Sequence, residues 1–331
     1  MMKNVKKVLF VSFLVLLNTG VAFAAATDSD SVSDEAVSNV AAEEAVAVPD
    51  GVVPVTWEVS PEHLMIEGDE ARELYERIAA GDYPELEELK NHPVVAQLDA
   101  LAEYYKSVYG NTADIDTPER EALREEILNW FLSRGSARVD GTDESGYPVY
   151  AFDGPLKSEF KMELVLGLPA SGKSTRIVNP DSDDMDAFIL DPDDIKAELP
   201  EYKESHGAGA DAVHFEGMAL MEKAVDAFLE GDMKGVNVIL PIVSSDLDDL
   251  MEKYIHPFEE AGYNVKAVFR EAEPNEAAAR VVMRELRGGQ LINSTIAFGF
   301  GYGPQEVYET LSTMLNAHGE TYGYDEKEDA A

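Results

Sequence analysis

The sequence predicts a three-layer α/β fold with a mainly parallel sheet, preceded by a small helical domain. Three observations predict it. Short apolar runs typical of buried parallel strands alternate with helical patterns, a glycine-rich turn joins one such run directly to a helix, and the region before them has a helical period throughout. The chain of 331 residues is long enough for both parts.

The composition restricts the classes of function. The chain has 26 Lys and Arg residues against 65 Asp and Glu residues, which gives a formal net charge of −39. A surface this acidic repels phosphate backbones and anionic lipids, so we expect no nucleic-acid partner. The absence of cysteine excludes disulfides, thiolate metal sites and a cysteine nucleophile.

Residues 1–24 have the pattern of a signal peptide. Three lysines precede an apolar run from Val8 to Leu17, and Ala22-Phe23-Ala24 forms an A-x-A cleavage site. The apolar run is too short to span the ~30 Å hydrocarbon core of a bilayer. We therefore expect cleavage after Ala24, export to the periplasm or the extracellular space, and no stable membrane anchoring afterwards.

The rest of the chain divides by composition and period. Residues 25–55 form a predicted disordered acidic linker, because they contain too few large apolar side chains to offset the entropy of ordering. Residues 56–140 form a predicted helical N-terminal domain, in which the helical period runs from Ser60 to Ala137. We expect this domain to pack on its neighbour, with a substrate or partner site as the alternative. Residues 141–320 form the predicted catalytic domain, and residues 321–331 a flexible acidic tail.

A phosphate-binding motif begins where the predicted strand Lys161 to Leu166 ends. It has the form G-x-x-x-x-G-K-S, between a strand and a helix. The glycines let several backbone N–H groups point at one anion, and the start of the next helix adds partial positive charge. The predicted nucleotide-binding residues are Gly167, Leu168, Pro169, Ala170, Ser171, Gly172, Lys173, Ser174 and Thr175.

Two side chains of this motif have distinct predicted roles. We expect Lys173 to reach the β- and γ-phosphates of a nucleotide, and the Ser174 hydroxyl to ligate Mg²⁺. Because the chain as a whole repels a polyanion, binding as the metal complex is favoured. The predicted cofactors are therefore ATP and Mg²⁺.

Carboxylates follow the next predicted strand, Ala187 to Leu190. Asp191 and Asp193 would lie near the phosphates, since ligands bind at the carboxyl ends of parallel strands. One could organise Mg²⁺ through water, a role we give to Asp191, and the other could take a proton from an attacking hydroxyl. The alternative is that Asp193 or Asp194 only caps a helix beginning near Ile195.

Arginines recur on a helix predicted over Pro274 to Leu286. Arg280, Arg284 and Arg287 follow i, i+4, i+7 spacing and line one face. Phosphoryl transfer needs such positive charge, because negative charge is spread over the oxygens of the group in transit. Surface ion pairs with Glu276 and Glu285 are the alternative explanation.

With these motifs in order, the chain from about Phe160 to Leu315 resembles the zeta toxin family of P-loop kinases. Family members phosphorylate UDP-N-acetylglucosamine on its sugar, and related P-loop phosphotransferases act on other small hydroxyl compounds. The resemblance implies a three-layer P-loop kinase fold, ATP and Mg²⁺ as cofactors, and a small-molecule acceptor such as a nucleotide sugar. It also implies an antitoxin-like protein inhibitor as a partner.

The resemblance also implies roles for single residues. The stretch Leu190 to Tyr202 is similar to the segment of the family that holds the catalytic base, and Asp193 matches that base. Lys173 matches the lysine of the phosphate loop. Arg280 matches the first lid arginine, and either Arg284 or Arg287 matches the second.

Substrate residues are implied less directly. His214 and Glu216 lie where the family places substrate contacts, although a surface histidine beside a helix carboxylate is the alternative. The predicted strand Asn237 to Leu240 is followed by Pro241, where the family has an acidic residue that helps hold the sugar. Ser244, shortly after, is the candidate for bonding a substrate hydroxyl instead.

The sequence thus predicts an ATP/Mg²⁺-dependent phosphotransferase that acts on a hydroxyl of a small molecule. Two alternatives differ from this. One is a secreted toxin or effector kinase that is active only in a recipient cell, where ATP is present. The other is a non-catalytic exported module that binds a nucleotide.

Overall fold

The computed structural model describes residues 64–142, 148–173 and 186–317. The predicted signal peptide, acidic linker and acidic tail lie outside the described residues, as do Ser174 and Thr175. None of the helices in the described ranges combines the length and apolarity that crossing a bilayer requires.

Helices form the first part of the described chain, as the period predicts. The amphipathic pattern buries one face of the first helix, and Thr117 caps the fourth by accepting a hydrogen bond from the N–H of Arg120 at 3.2 Å. The helices are α1 (Asp69–Ala79), α2 (Leu86–Lys90), α3 (Pro93–Tyr109) and α4 (Pro118–Leu132), with a 3₁₀ turn at Thr112–Asp114.

A two-stranded antiparallel hairpin follows, formed by β1 (Ser136–Thr142) and β2 (Pro148–Gly154). The helical period predicted as far as Ala137 is wrong at its end, since α4 stops at Leu132. Gly135 explains the change, because a Cβ there would lie 2.3 Å from the Gly154 carbonyl oxygen. Only glycine lets the chain leave the helix this close to β2.

Parallel strands form the central sheet, which confirms the predicted α/β class. In the described ranges these strands are β3 (Lys161–Gly167), β4 (Phe188–Ile189), β5 (Val238–Ile242) and β6 (Asn264–Arg270). Their order is β4-β5-β3-β6, so β3 lies between β5 and β6. All of them are parallel, and the loops that follow them therefore leave the sheet at one edge.

Helices cover the sheet and build the main core. Apolar side chains of alternate strand positions, such as Leu164 and Leu240, pack against α4 and the longest helix, α7. The remaining helices are α5 (Pro192–Lys196), α6 (Pro200–Glu204), α7 (Ala210–Glu230), α8 (Leu247–Leu250), a π-helical turn (Met251–Ile255), α9 (His256–Glu260), α10 (Pro274–Leu286), α11 (Ser294–Ala297) and α12 (Gly303–Ala317).

A second core joins the N-terminal helices to α10, the helix that carries the arginines. Leu74 and Ile78 of α1 share this core with Val281 and Val282 of α10, and all four are buried. The N–H of Met65 also donates to the carbonyl of Leu286 at 2.7 Å. The position of α10 is therefore fixed by residues near the start of the described chain.

Candidate functional site

The phosphate-loop candidate leaves the sheet at the end of β3. A Cβ at Gly167 would lie 2.6 Å from the Ser171 hydroxyl and 2.8 Å from the Arg270 carbonyl oxygen, so no other residue fits there. Ala170 and Gly172 have positive φ angles of 56° and 88°. The loop thus turns tightly back on itself, as a phosphate cradle built from backbone N–H groups requires.

The side chains of this loop contribute little polar chemistry before Lys173. Leu168 and Ser171 are buried, and the Ser171 hydroxyl has no hydrogen-bond partner among the described residues. Pro169 supplies no N–H donor. The motif residues Ser174 and Thr175 lie outside the described residues, so the predicted Mg²⁺ role of Ser174 stays a prediction.

Lys173 folds back over its own loop. Its Nζ donates to the carbonyl oxygens of Gly167 at 3.1 Å and Leu168 at 2.7 Å. Burial lowers the pKa of Lys173 to about 8, although the charges of Asp191 and Asp193 oppose the shift. A phosphate bound in the loop would replace the two carbonyls as the partner of this ammonium group.

Asp191 is the N-cap of the short helix α5. Its Oδ1 accepts a hydrogen bond from the N–H of Asp193 at 2.9 Å, and Pro192 occupies the first helical position. The alternative that Asp193 or Asp194 only caps a helix beginning near Ile195 is wrong, because the helix begins earlier, at Pro192. Burial, reinforced by the neighbouring carboxylates, raises the pKa of Asp191 well above its usual range.

Asp193, the candidate base, is held through a single oxygen. Lys196 Nζ donates to its Oδ1 at 2.8 Å, and Gln290 Nε2 reaches the same atom at 3.4 Å. Desolvation acts against ionisation, but the charge and hydrogen bond of Lys196 outweigh it and lower the pKa of Asp193, with Arg284 adding to the effect. The side chain is therefore a carboxylate at neutral pH and can accept a hydrogen bond from a hydroxyl group.

The neighbouring Asp194 has a structural role. It binds the guanidinium of Arg134 at 2.7 Å, and this arginine also donates to the carbonyl of Ile189 at 3.0 Å. The Arg134 guanidinium lies 4.2 Å from the ring centroid of Phe131 and 4.3 Å from that of Phe152. Arg134 thus ties the end of β4 to α4 and to the hairpin.

The three arginines of α10 are not equivalent. Nε and Nη2 of Arg284 are buried without a hydrogen-bond partner among the described residues, and its charge acts on both Lys173 and Asp193. Arg280 instead binds Glu276 at 2.6 Å, the surface pair that the spacing offered as an alternative. The Arg287 guanidinium lies 6.0 Å from the ring centroid of Tyr75 in α1. The structure therefore brings Arg284 to the loop and the carboxylates.

Of the implied substrate residues, Glu216 is engaged inside the protein. Its Oε1 accepts hydrogen bonds from Nε of Arg120 at 2.8 Å and Nε of Arg124 at 2.6 Å, and its Oε2 accepts one from Arg120 at 2.5 Å. Although desolvation opposes ionisation, these bonds lower the pKa of Glu216. The buried carboxylate joins α4 to α7 and has no free oxygen for a substrate.

His214 and Ser244 have different surroundings. His214 is exposed on α7, and desolvation together with the charge of Lys196 lowers its pKa, so it lies within electrostatic reach of the Asp193 pair. Ser244 closes a local turn before α8, since its hydroxyl donates to the Asp246 carbonyl at 2.9 Å and accepts from the Asp246 N–H at 3.1 Å. The structure thus places His214 near the candidate base.

The sequence did not single out three residues that the structure places at Asp193. Lys196 and Gln290 contact its carboxylate, and Tyr202 lies close enough that burial and the Asp193 charge raise its pKa to about 12. The i, i+3 spacing of Asp193 and Lys196 could have indicated their contact from the sequence alone. No sequence pattern indicates the contact of Gln290, because it reaches Asp193 from a loop after α10.

The described residues fit a nucleotide phosphate chain. Gly167 keeps the cradle open where a Cβ would fill it, and the unpartnered atoms of Arg284 can bind an anion. For Mg²⁺ the fit is partial. No group of three or more His, Asp or Glu residues suited to a metal occurs in the described ranges. Of the two predicted Mg²⁺ ligands, the structure describes Asp191, since Ser174 lies outside the described residues.

Comparison with known proteins agrees with these motifs. Residues 156–318 match the family model described as Zeta toxin. No curated protein matched the chain.

Two solved structures are similar to the chain. The native AvrRxo1-ORF1:-ORF2 complex contains a chain of 17% identity and TM-score 0.36, with 56% of this chain and 53% of that chain covered, so this protein spans about half of that chain's length. The PezAT chromosomal toxin-antitoxin system of Streptococcus pneumoniae gives 15% identity and TM-score 0.36, with 59% and 77% covered. The family model spans the phosphate loop, the carboxylates and α10, so the part of the chain that carries the candidate site, residues 156–318, matches the zeta toxin family.

Proposed function

We propose that this protein is a kinase that transfers the γ-phosphoryl group of Mg·ATP to a hydroxyl group of a small molecule. The observation that carries the proposal is the placement of Lys173, Asp193 and Arg284, whose charges act on one another at the edge of the sheet where the phosphate loop begins. A cation, a carboxylate and a second cation around one point are what phosphoryl transfer requires.

The roles we propose for single residues rest on the phosphate-loop motif and on the positions of the described side chains. The loop backbone and Lys173 would bind the β- and γ-phosphates, and Asp191 with Ser174 would hold Mg²⁺, which supplies charge neutralisation between these phosphates. Asp193 would accept the proton of the acceptor hydroxyl while the oxygen of that hydroxyl forms a bond to the γ-phosphorus. The bond from that phosphorus to the oxygen bridging it to the β-phosphate breaks, and ADP leaves. Arg284 would bind the oxygens of the group in transit.

For the acceptor we propose a nucleotide sugar, with UDP-N-acetylglucosamine as the first compound to test. The support is the family match together with the groups around Asp193, where the exposed His214 and the phenol of Tyr202 are available to a polar ligand. The predicted strand end at Leu240 is wrong, because β5 continues to Ile242 and Pro241 pairs with Val165 of β3 inside the sheet. At this position the acceptor would therefore be held without the acidic side chain that the family has there.

We also propose that the protein is exported, on the pattern of residues 1–24 alone. An exported kinase would find ATP only inside another cell, which favours a toxin or effector that acts after delivery. The producing cell would then need protection before export, for which an antitoxin-like inhibitor is the proposed partner.

The test is phosphorus NMR of the purified protein with Mg·ATP and a panel of acceptors led by UDP-N-acetylglucosamine, with the Lys173→Ala variant as the control. We expect a new phosphomonoester signal that the variant does not produce. Formation of ADP with another acceptor would change the proposed substrate and leave the proposed kinase activity standing. Nucleotide binding without transfer to any acceptor would overturn the proposal in favour of a non-catalytic nucleotide-binding module.

A further inference from the structure

Lys196 is a buried lysine whose ammonium group ends on an exposed carboxylate. Its side chain is 6% exposed, whereas that of Asp193 is 51% exposed, and the two are joined by a bond of 2.8 Å from Nζ to Oδ1. An ion pair that only stabilises a helix has both partners in water and contributes little to stability. Burying a lysine costs free energy that such a pair does not return.

The path of Lys196 depends on a glycine in the helix above it. Gly217 lies in the middle of α7, and a Cβ there would be 2.5 Å from Cγ of Lys196 and 3.4 Å from its Cε. Glycine inside a helix costs stability relative to alanine. At Gly217 this cost is what leaves room for the Lys196 side chain to run under α7.

The hydrogen bonds of Asp193 are confined to one of its oxygens. Lys196 and Gln290 both donate to Oδ1, from α5 and from the loop after α10. No residue in the described part of the chain donates to Oδ2. The rotation of the carboxylate is therefore fixed from one side, and its other oxygen is left for a ligand.

We propose that Lys196 is a positioning residue for the catalytic base, which holds Oδ1 of Asp193 so that Oδ2 faces the acceptor hydroxyl. Gly217 is part of the same arrangement, because the absence of a Cβ there leaves space for the Lys196 side chain. This inference rests on the proposed kinase function, since it assigns Asp193 the role of base.

The first test compares Lys196→Met, which keeps most of the side-chain volume, with Lys196→Arg, which keeps the charge and a donor. The matched control is Lys203→Met, which removes an exposed lysine that pairs with Glu198. We expect Lys196→Met to lower kcat about tenfold or more, because a misplaced base loses part of its ~10²–10⁴-fold contribution. The KM and Kd for ATP should stay within about twofold, and Lys196→Arg should recover most of the rate.

The second test displaces Lys196 without removing its charge. Gly217→Ala should lower kcat in the wild-type background, because its Cβ would lie 2.5 Å from Cγ of Lys196, and the same crowding should lower the melting temperature. In a Lys196→Ala background, which has no Cγ to displace, the same change should cause no further loss. If Gly217→Ala lowers kcat by the same factor in the wild-type and in the Lys196→Ala background, the role of Gly217 is overturned.

A crystal structure of Lys196→Met provides a readout that does not depend on activity. We expect the Asp193 carboxylate to leave its rotamer or to occupy more than one. An unmoved carboxylate, or a kcat above half of wild type, overturns the positioning role. So does a fall in kcat that parallels lost nucleotide binding and is not rescued by arginine. If the wild type transfers no phosphoryl group at all, the kinase proposal fails, and the crystal structure alone decides whether Lys196 orients Asp193.

Discussion

Arg120 of α4 binds Glu216 of α7 at 2.8 Å and, through its other nitrogens, binds Glu201 of α6 at 2.8 and 3.0 Å. Arg124 adds a second guanidinium to Glu216 at 2.6 Å. Each carboxylate oxygen of Glu216 is thus neutralised inside the protein. The network fastens an N-terminal helix to the helices next to Asp193.

Removing the charge of Glu216 should therefore affect stability. Glu216→Gln removes the counter-charge that Arg120 and Arg124 share, while Arg120 keeps Glu201 and Arg124 keeps Glu121, so the expected loss is about 1–3 kcal/mol. We expect a lower midpoint in denaturant unfolding, with the activity per folded molecule retained. Glu222→Gln on the same helix is the control, because Glu222 is half-exposed beside Lys253. A variant with unchanged stability but lost activity would instead support the hypothesis that Glu216 contacts the substrate.

The arginines of α10 should separate in kinetic assays. Arg284→Met should lower kcat about 10²-fold or more, because the charge it removes lies beside Lys173 and Asp193 and has no other partner among the described side chains. Arg280→Met and Arg287→Met should lower it far less, since they contact Glu276 and the Tyr75 ring. The measurement is steady-state kinetics of all three variants with Mg·ATP. An equal loss for Arg280→Met would show that α10 moves during turnover.

The phosphate loop gives a prediction about binding as well as rate. Lys173→Met removes the ammonium group that lies on the loop carbonyls, so it should weaken nucleotide binding and abolish transfer. Titration calorimetry with ATP measures the first effect. Lys90→Met, a change at an exposed lysine in α2, is the control. Unchanged affinity in Lys173→Met would mean that the nucleotide binds elsewhere.

Glu285 makes the stability of the protein depend on pH. The carboxyl group is buried in α10 and accepts the N–H of Ile292 at 2.8 Å, and burial raises its pKa to about 8, with Asp99 adding to the shift and Arg284 opposing it. The folded state therefore retains a proton that the unfolded state releases above about pH 4.5. Stability contributed by this group is present below that pH and is lost as pH rises toward 8.

Glu285→Gln should remove this loss, because the amide still accepts the Ile292 hydrogen bond and does not ionise. We expect the variant to unfold at a higher denaturant concentration than wild type at pH 8, with the difference shrinking toward pH 4.5. Each unit of pKa difference corresponds to about 1.4 kcal/mol, so an effect of a few kcal/mol is expected. Parallel stability curves for the two proteins across this range would refute the assignment.

The sequence predicted the elements whose signals are local. The bounds Pro274–Leu286 of α10 coincide with the prediction, because a proline starts the helix and a glycine pair follows it. The strand before the phosphate loop was predicted to within one residue for the same reason. The first strand of the hairpin was missed, since its pairing with β2 is a tertiary contact that the sequence period does not show.

The parts of the site that the sequence did not show also depend on tertiary contacts. Three arginines on one face of a helical pattern look alike, and only packing separates Arg284 from Arg280 and Arg287. Glu216 resembles a surface carboxylate until α4 brings Arg120 and Arg124 to it. Pattern and spacing thus identify the residue types of the chemistry, and packing decides which of them are available.

The core shared by α1 and α10 has a consequence for how the chain is made. The helix that contains Leu74 and Ile78, α1, is synthesised long before Pro274–Leu286, which shares its core. Contacts this distant in sequence form late, and until then the early helices keep an apolar face uncovered. A nascent chain that stops before Pro274 is therefore expected to remain open to proteases and chaperones. This core can therefore form only after the helix that carries the arginines has been synthesised.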